Sequence, residues 1–160
     1  MIWYHPLMRT KTFVSGMSVV VFAAVVALSA QQKPAATKVT VYKTSSCGCC
    51  KLWVEHMKAS GFDVQAMDVS SADVRAVSKA AGLKDDDTSC HTAKVGNYTV
   101  EGHVPADDIK RMLKEKPAIA GLAAPGMPQG SPGMEQGSKE PYDVVAFTKD
   151  GKSTIFAKHK

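Results

Sequence analysis

Nowhere does this chain interleave clustered lysine and arginine with aromatic residues, the footprint that nucleic-acid binding leaves. The net charge of +5 comes from scattered side chains, so nucleic acid is not an expected partner. There is no long internal repeat and no coiled-coil register, which excludes solenoids and rods. Cysteine is scarce, with four residues, and three of them crowd into Cys47-Gly48-Cys49-Cys50. Neighbouring cysteines rarely meet disulfide geometry without strain. The crowding therefore suits a soft-metal or redox site better than a framework of structural disulfides. Structural zinc usually shows two separated cysteine pairs, and here a triplet faces the single distant Cys90.

Residues 13–28 lack any charge and follow Arg9 and Lys11, while small residues close the run at Ala27-Leu28-Ser29-Ala30. That order reads as an export signal over residues 1–30, with an uncleaved anchor as the alternative because about 20 apolar residues span a bilayer. No cysteine lies at the junction, so lipid attachment is not suggested. Cleavage would remove two basic residues and no acidic one, leaving +3. Residues 31–37 read as a flexible leader and residues 38–160 as one domain with a modest core.

Residues 39–42 form the first expected strand. A helix should follow over about 49–60, capped by Ser45 or Ser46, with Trp53 and Met57 on one face and Gly61 ending it. Residues 62–67 alternate as a second strand, and Ser70 or Ser71 caps a second helix reaching to Gly82. Strand–helix–strand–helix implies a parallel pair with a right-handed crossover. A charged loop at 84–88 leads to Ser89-Cys90-His91, and a hairpin over 92–101 turns at Gly96-Asn97. Pro105, Asp107 and Asp108 open a third helix, which Pro117 stops. Residues 118–141, rich in glycine and proline, read as one long loop of the kind that is functional or disordered. Residues 142–156 close the chain as a hairpin around Lys149-Asp150-Gly151.

A strand that ends in a cysteine turn and enters a helix places thiols where unpaired N–H groups and the helix dipole favour thiolate. Two chemistries compete. In the first, Cys47 and Cys50 form a C-x-x-C pair, Cys47 attacking and Cys50 resolving, in a thiol-disulfide oxidoreductase. Cys49 is then a surplus thiol, and no proline precedes the strand after Cys90, where a thioredoxin-like site has one. In the second, Cys47, Cys49, Cys50 and Cys90 supply four sulfurs to copper, because thiolate and thioether select Cu(I) and imidazole also suits Cu(II). His91, His103, Met127 and Met134 offer further donors, and bridging thiolates could hold several copper ions. A closed zinc site is the structural alternative. Glu101 could orient His103 or form a plain salt bridge. His56 reads as a surface or packing residue, His5 and His159 as idle termini, and Met57, Met67 and Met112 as core.

The stretch Val41-Tyr42-Lys43 through Cys47-Gly48-Cys49-Cys50-Lys51 to Trp53 and Gly61-Phe62 resembles the opening of the CopG-type copper-resistance proteins. Ser89-Cys90-His91-Thr92-Ala93, Glu101-Gly102-His103-Val104-Pro105-Ala106-Asp107, Gly121-Leu122, Gly126-Met127-Pro128 and Gly130-Ser131-Pro132-Gly133-Met134-Glu135 follow the same family in order, so the likeness runs over about residues 38–157. It implies an α/β, thioredoxin-like fold with a mixed sheet flanked by helices, export to the periplasm, and a multinuclear copper–thiolate cluster on Cys47, Cys49, Cys50 and Cys90. It implies a part in copper resistance, by interconverting Cu(I) and Cu(II); a copper chaperone without redox activity is a separate alternative. Implied partners are copper ions and other periplasmic copper-handling proteins, with a membrane touched only through an uncleaved signal. One departure stands out: the family often carries a Gly-Val-Pro turn before Ser-Cys-His, and this chain has Gly82-Leu83-Lys84 and three aspartates, which leaves the geometry of the Cys90 loop open.

Overall fold

The computed structural model describes residues 1, 3 and 35–160. Contacts group the chain into two units, Met1–Lys33 and Pro34–Lys160. The signal expected over residues 1–30, His5, and residues 31–34 of the leader lie outside the described residues, apart from Met1 and Trp3. Among the described residues no helix is long and apolar enough to cross a membrane.

Pro34–Lys160 builds seven strands and three helices: β1 (Lys38–Lys43), α1 (Gly48–Ala59), β2 (Asp63–Asp68), α2 (Ser71–Ala80), β3 (His91–Val95), β4 (Tyr98–Glu101), α3 (Ala106–Glu115), β5 (Gly121–Ala123), β6 (Tyr142–Phe147) and β7 (Ser153–His159). One mixed sheet takes the order β2-β1-β3-β4-β5-β6-β7. The expected parallel pair is present, with β1 beside β2, and β3 returns antiparallel to β1 with Lys43 opposite His91. The expected hairpin joins β3 and β4 antiparallel.

Side-chain alternation along the strands sorts the two faces. Val39, Val41, Ala93 and Val95 bury into one cluster with Trp53 and Met57 of α1 and Ile109 and Met112 of α3. Trp53 has no exposed surface and donates its indole N–H to the Val104 carbonyl at 2.9 Å. Burying such a side chain stabilises the fold by roughly 2–3 kcal/mol. On the opposite face, the Thr92 hydroxyl meets the Val74 carbonyl of α2 at 3.4 Å.

Three local expectations change. The cap of α1 is neither serine: Cys47 takes that position and its Sγ accepts from the Cys50 N–H at 3.2 Å. The stretch 118–141 is not one loop, because Gly121–Ala123 pairs parallel to β4 and antiparallel to β6. That three-residue bridge carries β6 and β7 on the same sheet. Met67, expected in the core, is 40% exposed because it lies on the outermost strand, where only one flank is covered. Two other ends fall as expected: Ser70 caps α2 by accepting from Asp73 N–H at 3.2 Å, and Gly61 leaves α1 at φ 93°, where a Cβ would be strained.

Candidate metal centre

The first turn of α1 brings Cys47, Cys49 and Cys50 to the end of β1, and Cys90, the residue just before β3, meets them from the next strand. All four Sγ atoms lie within 4.8 Å of one another. Cys49 stands 3.5 Å from Cys47 and 3.8 Å from Cys90, and Cys50 stands 3.4 Å from Cys90. Cys47 and Cys50 are joined in a disulfide across a Cα–Cα distance of 5.3 Å, whereas Cys49 and Cys90 are free. In this form two of the four expected sulfurs are engaged with each other.

A second donor group shares one member with the first. Cys90, His91 and His103 also bring one ligand atom each within 4.8 Å. Cys90 Sγ lies 3.1 Å from His103 Nε2 and 3.5 Å from His91 Nδ1. The tautomer of His103 follows from its other contact. Nδ1 sits 2.8 Å from the Pro132 carbonyl, which can only accept, so Nδ1 carries the hydrogen and the neutral ring turns an Nε2 lone pair toward Cys90. Burial lowers the His103 pKa, which favours that neutral ring. Burial first, then the Cys49 thiol beside it, push Cys90 up to about 12. The metal-free pair is thus a Cys90 S–H donating to His103.

His91 is fully buried, its ring centroid 4.5 Å from that of Trp53 and 5.0 Å from that of His103. Burial, aided by His103, lowers its pKa to about 3. Its Nε2 has no hydrogen-bond partner, and a buried polar atom left so costs about 1–3 kcal/mol. Across the sheet, Lys43 is buried and paired with Asp68.

The loop that carries Cys90 is fixed by Glu101. This carboxylate is 1% exposed and accepts from the Ser89 N–H at 2.8 Å and the Thr92 hydroxyl at 2.6 Å. It neither orients His103 nor forms a salt bridge, the two roles its sequence position suggests. Burial raises its pKa to about 7, offset in part by those two donors. Leu83 of the departing turn is buried on the far side with Ala123 and Phe147, so the loop is anchored at both ends without the family's proline.

The glycine-rich segment does cover the site, though its contacts come through Pro132 and Gly133. A Cβ on Gly133, at φ 87°, would lie 2.8 Å from the Cys49 carbonyl oxygen, 2.9 Å from Trp53 N and 3.4 Å from His103 Nδ1. Met134 is half-buried and Met127 is 53% exposed. Ser89 donates its hydroxyl to the Gly126 carbonyl. A carbonyl that sets an imidazole tautomer, and a glycine admitted because nothing larger fits, leave no pattern that spacing alone reveals.

The donors suit copper. Four sulfurs with neutral imidazoles form the soft-to-borderline set that Cu(I) prefers and Cu(II) accepts. Exposed carboxylates or carbonyl cages, which hard cations need, are absent from both donor groups. A family model described as "Protein of unknown function, DUF411" matches residues 88–134, which span Cys90, His91, His103 and both loop methionines. No curated protein matches the chain. Two solved structures titled copper resistance protein CopG, Form 1 and Form 2, are each 40% identical with a TM-score of 0.71. They cover 78% of this chain and 98% and 99% of their own. With that identity sustained over nearly the whole related chain, this protein belongs to the CopG copper-resistance family.

Proposed function

We propose that this protein is a periplasmic copper-binding protein of copper resistance that holds Cu(I) on the thiolates of Cys47, Cys49, Cys50 and Cys90 and interconverts Cu(I) and Cu(II). The observation that carries it is the gathering of four Sγ atoms within 4.8 Å, close enough for bridging thiolates to hold more than one copper ion. His103 and His91 supply imidazole donors at Cys90, and the Pro132–Gly133 segment packs against Cys49 and His103. Copper is the cargo, and the protein's part is to orient His103 through Pro132 and keep the sulfurs clustered. The strand order β2-β1-β3-β4, with a parallel βαβ start and an antiparallel pair before α3, supports a thioredoxin-like core extended by β5–β7. The apolar run expected to be an export signal over residues 1–30 supports the periplasm, which cell fractionation checks.

The test is a Cu(I) titration of the full chain, fully reduced and free of oxygen, against a competing chelator. Sub-micromolar binding is expected, with a lower stoichiometry in Cys90→Ser. Binding weaker than micromolar, or an unchanged stoichiometry in that variant, contradicts the reading. The Cys47–Cys50 disulfide favours a second reading, thiol-disulfide exchange on protein substrates. A mixed disulfide trapped by Cys50→Ser without metal supports that reading, and its absence leaves copper as the substrate.

A further inference from the structure

We propose that the Cys47–Cys50 dithiol is the chain's own two-electron reductant for Cu(II), and that Cys90, His91 and His103 form a second copper set that stays complete when the dithiol is spent. This rests on the copper reading above and adds the source of the electrons. The two donor groups overlap only at Cys90, and the disulfide divides them unequally. Oxidation takes Cys47 and Cys50 from the four-sulfur group and removes nothing from Cys90, His91 and His103.

Donor chemistry assigns the two groups different oxidation states. Four thiolates select Cu(I), while one thiolate with two imidazoles is a set that Cu(II) also accepts. His103 is held ready for it, its Nε2 lone pair aimed at Cys90 by the Pro132 carbonyl. His91 is placed for it too, fully buried with its Nδ1 3.5 Å from Cys90 Sγ. Cu(II) held there lies beside the dithiol, because Cys50 Sγ is 3.4 Å from Cys90 Sγ. The step balances: Cys47 and Cys50 each give up one electron and a proton, one S–S bond forms, and two Cu(II) become two Cu(I). An external protein dithiol resets the pair by thiol-disulfide exchange and leaves as a disulfide itself.

The four-cysteine cluster thereby acts as a Cu(I) store only while Cys47 and Cys50 are reduced. Oxidation of the pair releases copper toward the smaller set or to a partner.

To test this, the reduced full chain is desalted without oxygen and given Cu(II) in measured equivalents. Cu(I) is read with a chromogenic chelator, remaining thiols are alkylated, and the disulfide is mapped by peptide mass. Two thiols lost for every two Cu(I) formed, with the bond mapped to Cys47–Cys50, is the expected result. Nitrogen hyperfine coupling in the paramagnetic resonance of Cu(II) bound to the oxidised chain is expected as well. In a Cys47→Ser, Cys50→Ser double variant of native circular dichroism, Cu(II) should stay oxidised, with Cu(I) yield falling at least tenfold. Cu(I) formed without thiol loss, a bond that maps to Cys49 or Cys90, or a double variant that reduces Cu(II) like the parent overturns the proposal. A parallel Cu(I) titration separates the failures. Tight Cu(I) binding beside an untouched dithiol removes this proposal alone, whereas absent Cu(I) binding removes the copper reading with it.

Discussion

Two side chains outside the sulfur cluster, buried Glu101 and half-buried His56, decide how firmly the site is held. Glu101 accepts from Ser89 N–H and Thr92 Oγ–H, so Glu101→Ala strands two donors beneath the Cys90 loop. We expect a loss of about 2–4 kcal/mol in chemical denaturation, with Glu101→Gln recovering part of it because its amide oxygen still accepts one bond. His56 works at a distance. Its Nε2 accepts from the Ala106 N–H at 3.1 Å, which ties α1 to the start of α3, a helix whose Pro105 cap offers no side-chain bond. An accepting ring must be neutral, and burial lowers its pKa below the ordinary 6.5. Stability from this contact is therefore whole above about pH 6.5 and is lost as pH falls toward the lowered value, because the unfolded chain binds the proton first. His56→Ala should cost about 1 kcal/mol at neutral pH and flatten the decline of stability between pH 7 and 5, both read from denaturation midpoints.

At the scale of elements, the first turn of α1 and the segment around Gly133 face each other across Cys49 and His103. Gly133→Ala forces a Cβ against backbone atoms of α1 at a φ that alanine resists. A destabilisation of about 1–3 kcal/mol is expected, together with faster thiol alkylation of Cys49 as the segment lifts. The unbroken elements were legible in the sequence because apolar period and end signals agree: Ser70 before α2, Gly61 after α1, and Gly96-Asn97 between β3 and β4. The cysteine cap of α1 was not, since a thiol takes a serine's role only once the turn is built. Strand β5 was not either, being three residues whose pairing comes wholly from β4 and β6. The four sulfurs could be named from spacing. That Cys47 and Cys50 pair while Cys90 turns to His103 depends on distances across strands, which spacing does not carry.

Over the whole molecule, β5 lets the sheet grow past the four-strand core, and the last strand is tied back to α3. Asp108 accepts from His159 Nε2 at 2.7 Å and pairs with Arg111 at 3.4 Å. The His159 ring stacks on Tyr142 with centroids 4.8 Å apart, and Arg111 covers Phe156. A terminal histidine that reads as idle in the sequence thus ties the edge strand β7 to α3. Asp108→Ala should cost about 1–2 kcal/mol and speed hydrogen exchange in β7 before β1, while Asp107→Ala, whose carboxylate is 96% exposed, should stay within about 0.5 kcal/mol. If sulfur from both strand ends holds copper, X-ray absorption at the copper edge of the reduced, Cu(I)-loaded full chain will read it. A nearest shell dominated by sulfur is expected, with sulfur count falling in Cys90→Ser. A shell of nitrogen and oxygen alone, unchanged by that substitution, would contradict it.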